Sequence, residues 1–187
     1  MPNINSPFGL RPIRHYAGGL VRTNAYQLAP ALAEDIGRGD FVKSTGTNKR
    51  VSKAAAGERG VGVVSGFEFT DIDGTPRWTP NWVSGTVTKT GSIITVHVYD
   101  DPNILYEVQA SGDFTVADIG DAADIVVGAP STVSGQSSSA LDVATFAAGV
   151  QLKIIDVIDA PDNEVGTYAR LAVLISLHEL AGARTAV

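Results

Sequence analysis

Three histidines, His15, His97 and His178, are the first residues to test for chemistry, and none lies within a few positions of another. A metalloenzyme on a β framework gathers imidazoles at short, regular spacing, and no His-x-His or His-x-x-x-His pair occurs here. His97 sits in "ITVHVYD" on the face opposite Ile94 and Val96, where a cross-strand or interface histidine is expected. Asp71-Ile72-Asp73-Gly74 has the opening of a calcium loop, but Pro76, Arg77 and Trp78 stand where further oxygen ligands belong, so a turn is expected. Asp118, Asp121 and Asp124 lie three apart in a Gly-broken segment and are read as turn and strand-edge residues. There is no Gly-x-Ser-x-Gly, the serines of "SGQSSS" have no base nearby in sequence, and "GERGVGVVSG" lacks the lysine of a phosphate loop. With no cysteine, thiolate chemistry and disulfides are absent. No catalytic, metal-binding or cofactor-binding residue is expected, and the protein is read as a non-enzyme.

Two clusters suit contact rather than catalysis. "DIDGTPRWTPNWVSG", residues 71–85, carries both tryptophans, and Trp78, Trp82 and Arg77 are of the types that dominate interface energetics. Lys49, Arg50 and Lys53, with Arg59 nearby, form the one basic cluster, read as a solvated hairpin or as a patch meeting an acidic surface.

The elements that must position these residues read as strands. "GDFVKSTGTNKRV" is a strand, a turn and a returning strand. "GVGVVSGFEF" alternates, with Val61, Val63, Ser65, Phe67 and Phe69 expected on one face. "ITVHVYD" and "ILYEVQA" follow, then "QLKIIDVID" and "TYARLAVLISL" as two antiparallel strands, the second near the centre of a sheet. "GAPSTVSGQSSSA", residues 128–140, reads as a polar surface loop, and "ALAEDI" as at most one helical turn. The expected fold is all-β, a jelly-roll or β-barrel/sandwich core over 21–187, preceded by an extended N-terminal arm over 1–20.

The chain has 187 residues, enough for one good core. Charged residues are 18%, below the ~25% of ordinary soluble domains, which fits a protein whose surface is covered by something else. A net charge of -6 argues against direct nucleic-acid binding. No apolar run approaches the ~20 residues of a membrane helix, and no signal-peptide pattern is visible, so a soluble assembly without membrane contact is expected.

"NINSPFGLRPIRHYAGG" at the start resembles the opening of the cement, or capsid decoration, proteins of tailed bacteriophages. The likeness continues through "GDFVKS…VSKAAAGERGVGVVSGFEF", "IGDAADIV…SGQSSSALDV" and "QLKIIDVIDAPDNEVGTYARLAVLI". It implies a structural virion protein, made in the host cytoplasm, that binds the outer surface of the capsid. Such a protein ties neighbouring major capsid protein subunits together against the pressure of packaged DNA. It would also contact itself, as a dimer by preference or as a trimer.

On that reading Pro7 and Pro12 hold the arm extended, Phe8, Leu10, Ile13 and Tyr16 are anchors without a home in their own domain, and Gly18-Gly19 is a hinge. The expected partner contacts are Pro7, Phe8, Leu10, Arg11, Ile13, Arg14 and Tyr16, with Arg77, Trp78 and Trp82. Phe8 and Leu10 should be nearly bare in the isolated chain, and removal of residues 2–19 should leave a folded body. Two competing readings are a carbohydrate-binding or host-attachment sandwich with Trp78, Trp82 and Tyr99 as a sugar platform, and a jelly-roll enzyme using His97 and Asp100.

Overall fold

Runs of Val, Ile and Thr between Gly, Pro and Asp turns form strands because branched side chains pack well on a pleated surface. The computed structural model describes residues 3–29, 32–46 and 48–181. In chain order the strands are β1 (Arg11–His15), β2 (Asn24–Leu28), β3 (Phe41–Ser44), β4 (Arg50–Lys53), β5 (Gly62–Thr70), β6 (Pro76–Thr79), β7 (Ile94–Tyr99) and β8 (Ile104–Gln109). They continue as β9 (Ala122–Ala123), β10 (Ile125–Val126), β11 (Ala140–Leu141), β12 (Leu152–Val157) and β13 (Arg170–Ile175). The all-β class expected from the sequence is what forms. "ALAEDI" makes no helix over its described residues 32–36; Ile36 instead bridges to Trp82.

The order β3-β4-β2-β7-β5 returns on itself, because the start of β5 pairs with β3, and a ring of strands closes into a small barrel. The far half of β5 pairs with β6, which projects beyond the ring. A bulge between Val64 and Gly66 lets β5 bend between these two tasks. A second sheet, ordered β1-β8-β13-β12-β9, packs against the barrel, with β13 at its centre.

Strand periodicity then divides the apolar residues between two cores. Val42, Val51, Val64, Phe67, Ile94, Val96 and Val98 fill the barrel. Their neighbours Phe41 and Val63 point outward and meet Ile104, Tyr106, Leu152, Leu171, Val173 and Ile175 of the second sheet. Each such burial stabilises by roughly 1.5–3 kcal/mol relative to exposure.

Polar side chains clasp the two parts. Gln151, fully buried, donates to the carbonyls of Ala55 (2.7 Å) and Glu58 (2.8 Å) and accepts from the Ile125 N–H. The Tyr26 hydroxyl donates to Asp100 at 2.8 Å, and burial, reinforced by that carboxylate, pushes its pKa far above the ordinary value. Asp40, just before β3, is 0% exposed. It accepts from Ser137 (2.5 Å), Ser139 (3.1 Å) and the Gly37 N–H (2.8 Å), and faces the Lys53 ammonium at 2.9 Å. Residues 128–140 are therefore a surface loop only at their tip; Ser137 and Ser139 turn inward to this carboxylate.

Candidate interaction surface

The N-terminal segment is extended but does not stand off the body, which corrects the free-arm expectation. Gln109 Nε2 donates to the Ile4 carbonyl, and its Oε1 accepts the Ser6 N–H. The Gly9 N–H bonds the Ser139 carbonyl (3.0 Å) and the Leu10 N–H that of Gly39 (2.9 Å). Gly9 has φ +72°, and a Cβ there would lie 2.5 Å from the Gly39 carbonyl oxygen, so only glycine lets the chain pass this closely. Leu10 is 2% exposed and sits in the core between barrel and sheet, not bare. Phe8 and Pro7 are half-buried, with the Arg11 guanidinium 4.5 Å above the Phe8 ring.

β1 then pairs with β8, with a bulge at Ile13. Arg11 and Arg170 both reach Glu107, at 3.5 and 3.4 Å. Among the described residues no strand pairs with the other edge of β1, and a Pro and a bulge on such an edge limit indiscriminate pairing. Ile13, Arg14 and Tyr16 are exposed along it, as is Leu20 beyond.

His15 anchors the end of β1 on Asp101, with Nε2 3.2 Å from the carboxylate. Burial raises the Asp101 pKa, but the Asn103 N–H and the His15 ring outweigh it, and the carboxyl sits below its ordinary value. A lowered carboxylate contributes stability that is complete above its unfolded value and is lost as pH falls through the folded one. Thermal melts on the acid side of about pH 4 should therefore fall with pH, and Asp101→Asn should flatten that limb. An unchanged acid limb in the variant would remove Asp101 as its source.

The two tryptophans part company. Trp82 is 2% exposed, packed edge-on against Phe69 at 5.6 Å, and its backbone exchanges hydrogen bonds with Ile36. It is a core residue and leaves the predicted contact cluster. Trp78 lies on β6 opposite Glu68, is 57% exposed, and lies over Gly66, where a Cβ would come within 2.4 Å of the indole. Arg77, also exposed, is held by Asp71 at 2.6 Å. Acrylamide should thus quench one tryptophan strongly and the other weakly, and Trp78→Ala should shift stability by less than about 1 kcal/mol. Equal quenching of both would contradict these positions.

The remaining candidates for chemistry are dispersed. His97 faces Glu68 at 3.4 Å on the barrel exterior, while Asp100 is occupied by Tyr26 and Asn24. Asp118 caps a 3-10 turn with Thr115, and Asp124 accepts the N–H groups of Val150 and Gln151. Among the described residues no group of three or more His, Asp or Glu is placed to hold a metal ion. The sugar platform loses Trp82 to the core, and Tyr99 is half-buried, its hydroxyl accepting from Ser65. The basic cluster also changes membership: Lys53 turns inward to Asp40, while Arg50 shares a cavity with Lys89, a residue the sequence reading passed over.

Comparison of the chain with protein-family models, with curated proteins and with solved structures finds no match.

Proposed function

We propose that the protein is a structural component of a bacteriophage virion that binds the outside of the capsid and cements neighbouring major capsid protein subunits, with self-association as a dimer or trimer. The observation that carries this reading is the N-terminal edge. Ile13, Tyr16 and Leu20 stand in water along an open strand edge and its continuation, in a chain with only 18% charged residues. Exposed apolar groups beside unpaired main-chain donors and acceptors favour docking by strand addition with side-chain pockets. The motif order described above supports the phage assignment. Many copies on a closed shell multiply weak individual contacts, because each copy holds several subunits at once.

The test is co-sedimentation with shells of a major capsid protein. Wild-type protein should pellet with the shells. Ile13→Asp and Tyr16→Asp should stay in the supernatant while melting close to wild type. Wild-type protein that remains soluble would sink the proposal, and pelleting by both variants would remove the β1 edge from it.

A further inference from the structure

One end of the barrel carries cations that no carboxylate of the described chain answers. Lys43, Lys53, Arg77, Arg11 and Arg170 all reach an acidic side chain; Lys49, Arg50 and Lys89, like Arg14, Arg22, Arg38, Arg59 and Lys153 elsewhere, reach none within 4.0 Å. Unpaired surface cations are ordinary by themselves. These differ because Arg50 and Lys89 line a cavity of about 360 Å³ floored by Leu28 and Ile94 and rimmed by residues 88–93. Behind the cavity wall the Arg50 Nε–H is shut off from water and has no acceptor, a state that costs about 1–3 kcal/mol until an acceptor is supplied. The rim is braced, since the Ser92 hydroxyl accepts the Thr70 N–H (3.2 Å) and the Ser92 N–H bonds the Lys89 carbonyl. Lys49 is braced as well, with its ammonium 4.7 Å over the Tyr26 ring, next to the cavity residue Gln27. Ile93 stands 61% exposed at the mouth.

We infer that this cavity is a docking site for an acidic protein segment, one that brings carboxylates to Arg50 and Lys89 and an apolar side chain to Ile93. A guanidinium receives a carboxylate through two parallel N–H bonds, and a turn of the Arg50 side chain toward the cavity brings its orphaned Nε–H into such a fork. A nucleic acid is the poorer fit, because its backbone calls for a long track of cations and the chain as a whole carries -6. That the acidic segment belongs to a capsid subunit rests on the function proposed above; that the cavity binds carboxylates does not.

The probe is a capped peptide of the pattern Glu-Glu-Leu-Glu-Glu, titrated into the full-length nitrogen-labelled protein. Saturable shifts are expected in the Arg50 Nε–H signal and the amides of residues 88–93. Affinity should fall at least about tenfold between about 20 and about 200 mM salt. Arg50→Met and Lys89→Met should each weaken binding about tenfold, with the rest of the spectrum unchanged, and Arg50→Lys should weaken it less. Binding that persists in both Met variants would overturn the site, as would equal binding of the Gln counterpart. Response to inorganic phosphate without response to the peptide would overturn the assignment to a protein segment. Protein that binds the peptide but ignores shells keeps this site and loses the capsid; protein that pellets with shells and ignores the peptide does the reverse.

Discussion

Deleting residues 2–19 should lower the thermal unfolding midpoint by more than about 10 °C and leave a protein prone to associate. The segment removes a piece of the core, not an appendage. Leu10 lies between the barrel and the second sheet, and losing a fully buried leucine costs about 2–5 kcal/mol by itself. The cut also takes β1 from β8, both main-chain bonds at Gly9 and Leu10, and the two bonds that Gln109 makes to Ile4 and Ser6. For a domain of this size each 1 kcal/mol moves the midpoint by about 2–4 °C, so Leu10 and the strand together pass the stated value. The uncovered edge of β8 is then a template for pairing between copies. Leu10→Ala should reproduce about 2–5 kcal/mol of the loss, while Ile13→Ala should change stability by less than about 1 kcal/mol. A truncated protein that melts with the full chain would return residues 3–19 to the status of an arm. The deletion is therefore no clean test of capsid binding, because loss of binding would follow from loss of the fold.

Why the sequence misleads here is physical. β1 has a proline, a bulge at Ile13 and no buried residue of its own, the anchor Leu10 lying just before it, so no period of two appears in it. The core that holds Leu10 is drawn from β8, β12 and β13, and its N–H bonds Gly39 just before β3, all far along the chain. β7 was legible because it alternates cleanly, whereas β8 and β13 are buried at almost every position and show as short apolar runs; these, with β3, β4 and β12, are set off by the turn residues around them. Along β5 the alternation fails halfway. Val64, Phe67 and Phe69 share the barrel interior while Val63 faces the other core, because the bulge before Gly66 inverts the parity of everything after it. The two tryptophans show the same limit. Their types mark both as contact residues, yet four positions of chain carry one into the barrel and leave the other outside. The cavity beside Arg50 was out of reach, since Lys89 and Arg50 lie 39 positions apart and meet only because β2 runs between β4 and β7.

The serines of residues 137–139 look solvent-facing in the sequence for a related reason: small polar side chains look alike whether they meet water or a buried charge. Asp40→Ala should destabilise the protein by about 3–5 kcal/mol in urea unfolding, because it strands the Lys53 ammonium and leaves the hydroxyls of Ser137 and Ser139 without their acceptor. The carboxylate takes four donors, and they come from three separate stretches: Gly37 before β3, Lys53 on β4, and the two serines of the 128–140 loop. It thereby ties the loop that receives Gly9 to the barrel that receives Leu10. Asp40→Asn should cost less, about 1–2 kcal/mol, since an amide oxygen can still face Lys53 and the serine hydroxyls can rotate to accept from the amide nitrogen. Lys53→Met leaves the carboxylate with three neutral donors and also removes the bond from Lys53 to the Gly128 carbonyl (2.7 Å). Combined with Asp40→Ala it should cost clearly less than the sum of the two single changes, by about 1 kcal/mol or more, because the second removal no longer leaves a charge alone. Strict additivity would mean that the two charges do not act on each other. In that case the network holds the loop by its hydroxyl bonds alone, and Ser137→Ala should then account for most of the Asp40→Ala effect.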